Sequence, residues 1–516
     1  MGPPRQWMER CGWGSWPHSR RRAGSARDPD PTRPVGRAIA EIRPGRETLL
    51  AWPGSTNMAL PQTDAPLASR PLRDARRVLE RLGWGPRPGQ VELVAAQGPL
   101  RWVQDRLAED APPPIPSSLP TVPAWLWARP AKEERKEHRR EQHRITRELA
   151  ALRTLRAASG AHPLHEHMVA FWADHFAVSA RKPFTAVFLP DWEATVLRPH
   201  ALGRFPDLLL ATARHPAMLF YLDNWKSVAE GSGRLRRRRR GPERPRGLNE
   251  NYARELLELH TLGARGGYEQ RDVEETARAF TGWSFERGRE RPGFVFRAAL
   301  HDGAPKRVLG ERLPGRGREE GEALLRRLAL HPTTARRLAH KLAVRFVADD
   351  PPTDAVDRTA RAFLSSGGEL RATLAALLLH GDEPLALAPP RKLKRPFEWV
   401  VSALRATDAE LSDPRGVLRV LRGLGQVPGL APSPAGYPDV AERWLDPGAL
   451  LERSHFAFSL AEGRVPGVEL PRVLPVAEHL LPADARAPTR EALSDPTLRH
   501  HERLALALAS PELQLR

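Results

Sequence analysis

The run Asn249-Glu250-Asn251-Tyr252-Ala253-Arg254-Glu255-Leu256-Leu257-Glu258-Leu259-His260-Thr261-Leu262-Gly263 decides how the chain is read. At about 100° per residue, Tyr252, Leu256, Leu259 and Gly263 form one stripe, while Asn251, Glu255 and Glu258 form a second, polar stripe about 100° away. The spacing predicts a helix with acids set in an apolar neighbourhood and with Asn249 as its N-cap. Two carboxylates at i and i+3, with an Asn one turn earlier, can converge on a cation, which makes Glu255, Glu258 and Asn251 candidate metal ligands. The same run also fits a solvent-facing helix, because Glu250 with Arg254 and Arg254 with Glu258 are i,i+4 pairs.

Outward from this run the helical period recurs. Amphipathic stretches stand at 73–82, 90–108, 131–158, 163–176, 191–202, 271–281, 319–346, 353–380, 397–408 and 448–462, most of them separated by Gly or Pro. One segment departs from it. Phe294-Val295-Phe296 and Arg307-Val308-Leu309 flank the turn-like His301-Asp302-Gly303, which reads as a small β-hairpin. The expected fold is mainly α, a multi-helix globular domain with a small β-hairpin near 293–309. Residues 1–57 lack any period and read as a disordered or misannotated extension, with Met58 as an alternative start. Residues 58–130 read as an N-terminal helical segment ending in a Pro-rich linker. Residues 131–463 form the main helical domain with an Arg-rich loop insert at 231–248, and 464–516 a C-terminal helical tail.

The 516 residues include 81 Lys+Arg against 62 Asp+Glu, a formal charge of +19. Only eight of the basic residues are lysines, a skew that GC-rich coding produces without functional cause. Residues 1–57 carry +5 and residues 231–248 carry +7, so the body of the chain is only mildly basic and a basic groove across the fold is not indicated. The unbroken Arg236–Arg240 run reads as a solvated loop, or alternatively as a contact for an anionic partner or nucleic acid. Cys11 is the only cysteine, which excludes an intramolecular disulfide and a cysteine-built zinc or iron–sulfur site. No apolar run approaches the ~18 residues of a membrane span. Arg20-Arg21-Arg22 is followed by no apolar region and makes no export signal, which places the chain in the cytoplasm, or outside it if the start is misassigned.

Two further segments carry candidate chemistry. In His162-Pro163-Leu164-His165-Glu166-His167-Met168-Val169-Ala170-Phe171-Trp172-Ala173-Asp174-His175-Phe176, Glu166 and His175 are candidate ligands. The second His follows Glu166 immediately, so this is not the zincin spacing. Glu166 and His175 lie about 180° apart on a straight helix and cannot share a ligand unless the helix ends between them. A lone imidazole beside Trp and Phe is equally a hydrogen-bonded core histidine. On the turn, His301, Asp302 and the nearby Lys306 can supply a base, its orienting partner and an anion clamp, although an Asp-Gly turn explains Asp302 without chemistry. The phosphate loop, the Gly-x-Ser-x-Gly elbow and the dinucleotide fingerprint are all missing, which argues against P-loop nucleotidases, α/β serine hydrolases and Rossmann dehydrogenases.

Read in order, Leu82-Gly83-Trp84-Gly85-Pro86-Arg87-Pro88-Gly89, Glu166 with Phe171-Trp172 and His175-Phe176, and Arg198-Pro199-His200-Ala201-Leu202-Gly203 form a pattern. It continues through Pro216 to Asn224, Asn249 to Gly263, Ala277 to Trp283, His301-Asp302 and Lys306, and then His331-Pro332 with Lys341-Leu342. Gly425-Gln426, Pro432 to Pro438 and Trp444-Leu445 complete it. The pattern resembles a large bacterial family catalogued as domain of unknown function 1800, over about 73–462. The resemblance implies a mainly helical bacterial protein and carries no reaction, substrate or cofactor with it. It also implies a partner, a sulfatase-like companion of the domain-of-unknown-function 1501 family, encoded beside many members. Many members carry export signals, and this chain departs from them in showing none.

The residues point first to a metal-dependent hydrolytic enzyme with a carboxylate and His site between helices. Glu255, Glu258, Asn251, His175 and Glu166 would hold a divalent metal. His301, Asp302, Lys306 and Arg254 would act as base, orienting group and anion clamps. The alternative is a non-enzymatic helical binding or assembly protein whose buried acids and histidines fix helix register. A binder of anionic partners or nucleic acid through the Arg-rich loop ranks third.

Overall fold

A computed structural model describes residues 70–109, 118–128, 130–159, 162–230, 247–286, 292–314, 316–473, 475, 477–482 and 485–516. All of them belong to the unit Thr63–Arg516. The expectations for residues 1–57, Met58, Cys11 and Arg236–Arg240 lie outside the described residues.

The fold is mainly α. Helices α1 (Arg70–Leu82), α2 (Arg135–Ser159), α3 (Pro163–His175), α4 (Asn251–Glu255), α5 (Pro332–Phe346), α6 (Pro396–Ala406), α7 (Pro447–Ala461) and α8 (His500–Ala509) frame it. Two apolar cores hold these helices together. Val78 and Leu79 of α1, Trp172 of α3, Leu256 and Leu342 share the first, while Trp399 of α6, Phe456 of α7 and Leu504 and Leu508 of α8 share the second. The α2 helix spans both, giving Ile145 and Leu149 to the first and Ala150 and Ala157 to the second. Every residue of α6 is buried, so it is a core helix without a solvent face. Proline at the first turn of α3, α5, α6 and α7 starts each helix where its missing N–H costs nothing.

Three long sequence stretches divide where the backbone chemistry requires it. Residues 90–108 break at Gly98, with φ +94, into Gln90–Gln97 and Pro99–Leu107. Residues 319–346 break ahead of Pro332, and 353–380 break at Gly367-Gly368. The expected hairpin also divides. Instead of pairing with Arg307-Val308, strand β2 (Gly293–Phe296) pairs antiparallel with β1 (Trp283–Glu286), Trp283 opposite Phe296. Strand β3 (Arg307–Val308) turns back on β4 (Glu311–Arg312). Trp283 and Phe285 are buried, so β1 brings apolar surface to its partner that the two-residue β3 cannot match. A third antiparallel pair joins β5 (Glu410–Leu411) to β6 (Val468–Glu469). No helix among the described residues is long and apolar enough to cross a membrane.

The run that opened the sequence reading does not keep the α period. After α4 the chain continues as a π turn over Leu256–His260 and ends at Thr261, with Gly263 at φ +91. Hydrogen bonding to the fifth residue back widens each turn, so positions assigned at 100° per residue lose their faces beyond Glu255.

Candidate functional site

The π turn ends against α5 and α3. Arg337 of α5 donates to the Leu259 carbonyl at 2.7 Å, and His175, the last residue of α3, donates through Nε2 to the His260 carbonyl at 3.1 Å. A carbonyl only accepts, so Nε2 carries the imidazole proton and Nδ1 is the acceptor. That acceptor faces Lys341 Nζ at 2.9 Å. The ammonium also lies 5.9 Å from the Phe171 ring. Burial, with Arg337 next in weight, brings the Lys341 ammonium down from 10.5 to about 7. His175 is held well below its ordinary value by burial and by Lys341, so it stays neutral. Fully buried His260 is lowered to about 3 by burial, Arg337 and Lys341, and its Nδ1 has no partner.

Glu255 closes α4 just ahead of the π turn. It is buried, and burial together with the neighbouring Glu258 raises its carboxyl from 4.5 to about 7 against the opposing pull of Arg254. Neither Glu255 nor Glu258 makes an ion pair or a side-chain hydrogen bond among the described residues. Tyr221, whose hydroxyl is buried without a partner, feels the Glu255 charge. Glu258 acts electrostatically on Arg337 and on Tyr268.

The structure brings some of the expected residues together and separates others. His175 reaches the π turn through the backbone of His260, while Glu255 and Glu258 act on each other and on Arg254, Tyr221, Arg337 and Tyr268, not on His175. Asn251 is taken up by backbone, donating to the Leu222 carbonyl at 3.2 Å while its N–H donates to Asn249 Oδ1 at 3.0 Å. Arg254 pairs with Glu250 at 3.0 Å and donates to Gln270 at 2.9 Å, on the outer side of the helix. Glu166 is closed by arginines: Arg198 holds both oxygens at 2.9 and 3.0 Å, and Arg156 reaches one at 2.6 Å. Burial raises its carboxyl, but these guanidinium groups prevail and keep it ionised below its ordinary range. Two guanidinium groups already balance its charge, which disfavours a cation beside it. The α3 helix runs unbroken through His175, which keeps Glu166 and His175 on opposite sides.

His301, Asp302 and Lys306 form a separate knot in the loop between β2 and β3. His301 Nδ1 bonds the Thr281 carbonyl at 2.9 Å, and Asp302 pairs with Arg278 at 2.7 Å, which pulls its carboxyl down. Buried Lys306 donates to Glu320 at 2.6 Å and to the Asp302 and Ala304 carbonyls at 2.5 and 3.0 Å. None of the three bonds to the π-turn cluster. No group of three His, Cys, Asp or Glu side chains suited to a metal occurs among the described residues.

Sequence reasoning passed over Lys341, Arg337 and His260. The available signal was the basic row Arg337, Lys341, Arg345, spaced i,i+4,i+8 on α5. It also passed over the buried ionic core behind them. There Arg345, Lys392, Arg395 and Arg516 interlock with Asp174, Asp349, Glu398 and Asp439.

Gly263 is what lets Arg337 reach the π turn. A Cβ at this position would stand 2.9 Å from Arg337 Cδ and Nε, on a backbone at φ +91. Gly263→Ala is expected to cost roughly 1–3 kcal/mol, read as a lower urea midpoint. An unchanged midpoint would show that Arg337 moves aside without penalty.

These features define a class: a mainly helical chain whose buried ionic core supports a π turn with a displaced lysine and a displaced glutamate. The model of the family described as protein of unknown function, DUF1800, matches residues 77–515, and the chain belongs to that family. No curated protein and no solved structure matches it.

Proposed function

We propose that the protein is a hydrolytic enzyme that works by acid–base chemistry at the Lys341–His175 pair, on a substrate whose anionic group is held by Arg337. The Lys341 amine carries the reading, since it titrates at about 7 and lies 2.9 Å from a neutral imidazole. An amine half-deprotonated near neutrality is matched to taking a proton from an attacking water and passing it to the leaving group. His175 aims that amine, because its own ring is fixed by the His260 carbonyl. Arg337 is half-buried and spends one nitrogen on Leu259, which leaves cationic surface beside the amine. Glu255, at the end of α4 just ahead of the π turn, adds a carboxyl that keeps its proton up to about 7. This reading keeps Glu255, Glu258 and His175 from the expected set. It moves the proton transfer to Lys341 in place of a metal held with Asn251 and Glu166.

Competitive acetylation with acetic anhydride, followed by peptide mass spectrometry over a pH series, tests the central group. Lys341 is expected to reach half-maximal reactivity at about 7, and half-reaction at the ordinary 10.5 would end the proposal. With a panel of ester, amide and phosphoester substrates, Lys341→Met is expected to lower turnover by roughly 10²–10⁴-fold.

A second reading, a helical binding or assembly scaffold, draws on the closed ion pairs of Glu166 and of the His301–Lys306 loop. It predicts no turnover of any panel member, with Lys341 reactive near 7 through burial alone.

A further inference from the structure

The side of α3 that carries Glu166 and Asp174 lines a cavity of about 50 Å³. This is several times the ~10–15 Å³ that one water needs. Its walls are apolar, with Trp84, Trp192 and Phe397 facing Val169 and Val178. Ala170 and Ala173, both half-buried, mark where it reaches the surface.

What distinguishes this cavity is an excess of donors. Trp84 is 2% exposed and its Nε1 has no partner among the described residues. The same residue sits at φ +63, with its ring stacked 3.5 Å from His167. A strained backbone and an unsatisfied indole N–H on one residue are the kind of cost that collects at ligand clamps. Gln426 is 4% exposed; its Oε1 accepts from Phe397 N at 2.9 Å, and its Nε2 has no partner among the described residues. Arg153 bonds Glu193 through Nε and Nη2, and Arg395 uses Nε and Nη1 on Glu398 and Asp174, which leaves each guanidinium one further nitrogen.

Most acceptors around the cavity are engaged, Asp174 Oδ1 being the carboxylate oxygen without a partner among the described residues. Glu166 is closed by Arg156 and Arg198, and Asp174 Oδ2 takes Arg345 and Arg395. The Tyr437 hydroxyl donates to the Val427 carbonyl and accepts from the Val427 N–H.

We propose that this cavity is a binding site for a short-chain carboxylate, with its oxygens toward Gln426 and the two arginines and its hydrocarbon part against Trp84, Trp192 and Phe397. The apolar walls favour such a molecule over inorganic phosphate, which has nothing to place against the indoles. The site lies on the opposite side of α3 from Lys341 and does not depend on the hydrolytic reading.

Calorimetry and saturation-transfer NMR of the full chain with sodium propionate, against sodium chloride at equal ionic strength, provide the test. Saturable binding is expected, with propionamide about tenfold or more weaker because it lacks the charge. Ala173→Leu, which fills the mouth, should abolish binding while leaving the thermal midpoint within a few degrees. Ala170→Leu serves if that variant does not fold. Absence of saturable propionate binding, binding retained in the plugged variant, or phosphate binding in preference to propionate would each overturn the proposal.

Discussion

Glu398→Gln is expected to lower the stability of the folded chain by about 3–5 kcal/mol, the range for removing one partner of a buried ion pair. Glu398 is 2% exposed, and both of its oxygens act only as acceptors. Oε2 accepts the Arg395 backbone N–H at 3.0 Å, and Oε1 accepts Arg395 Nε and Arg516 Nη2, both at 3.2 Å, with Arg345 Nη1 at 3.5 Å. An amide keeps one acceptor and turns the other position into a donor facing donors. The arginines around it would then be short of one negative charge in a buried interior. Urea unfolding monitored by far-UV circular dichroism reads the loss, and a midpoint within error of the parent chain would refute the role.

The same residue sets an acid limit. Burial alone would raise the Glu398 carboxyl, but Arg516, Arg395 and Arg345 outweigh it and hold the group well below 4.5. The unfolded chain takes up this proton near 4.5, so the stabilisation is complete above that pH and disappears as pH falls through the lower folded value. Asp439 is also depressed from 3.8, through Arg345 and Arg395, and adds to the same slope. Removing the Glu398 charge should therefore flatten stability against pH on the acid side only.

Helix content was legible because apolar periodicity is a local property. Stretches such as 163–176 and 397–408 differ from the observed Pro163–His175 and Pro396–Ala406 by a residue or two. Breaks were less legible. Gly98, Pro332 and Gly367-Gly368 each divide a stretch whose apolar pattern runs on across the break. The β pairing failed for a different reason, since Trp283 adjoins a helical run and its strand character depends on a partner, Phe296, thirteen residues on.

The site was legible in part. Acids within the apolar Asn249–Gly263 run marked a segment where Glu255 is buried and its carboxyl raised, but periodicity gives no sign of a π turn, which re-aims everything after Glu255. Glu166 shows the other limit. Its partner Arg198 is 32 positions away, so no local pattern could say that its charge was already matched. Lys341 drew no chemical role because a lysine on a helix reads as a solvated charge. Only the packing of Phe171, His175 and Arg337 around it makes the amine unusual.

Glu255→Gln is expected to act with the opposite sign from the Glu398 substitution. The carboxyl of Glu255 is raised from 4.5 to about 7, chiefly by burial and then by Glu258. An acid whose folded value is raised favours folding only while protonated. Stability is highest below 4.5, falls as pH rises toward 7, and stays reduced above it. At 1.36 kcal/mol per unit, the full reduction is about 3 kcal/mol. Glutamine resembles the protonated acid and cannot ionise, so the variant should match the parent chain below 4.5 and exceed it by about 3 kcal/mol above 7. Thermal midpoints across a pH series read the divergence, and two parallel curves would show that the Glu255 charge is solvated in the folded state. If the curves do diverge, the chain retains a carboxylate that weakens it at neutral pH where an isosteric amide would not. Such a trade is expected of a group kept for chemistry and not of one kept for packing. The divergence would place Glu255 among groups kept at a cost in stability, and turnover of the substrate panel then separates the enzymatic reading from a scaffold that holds buried acids for register.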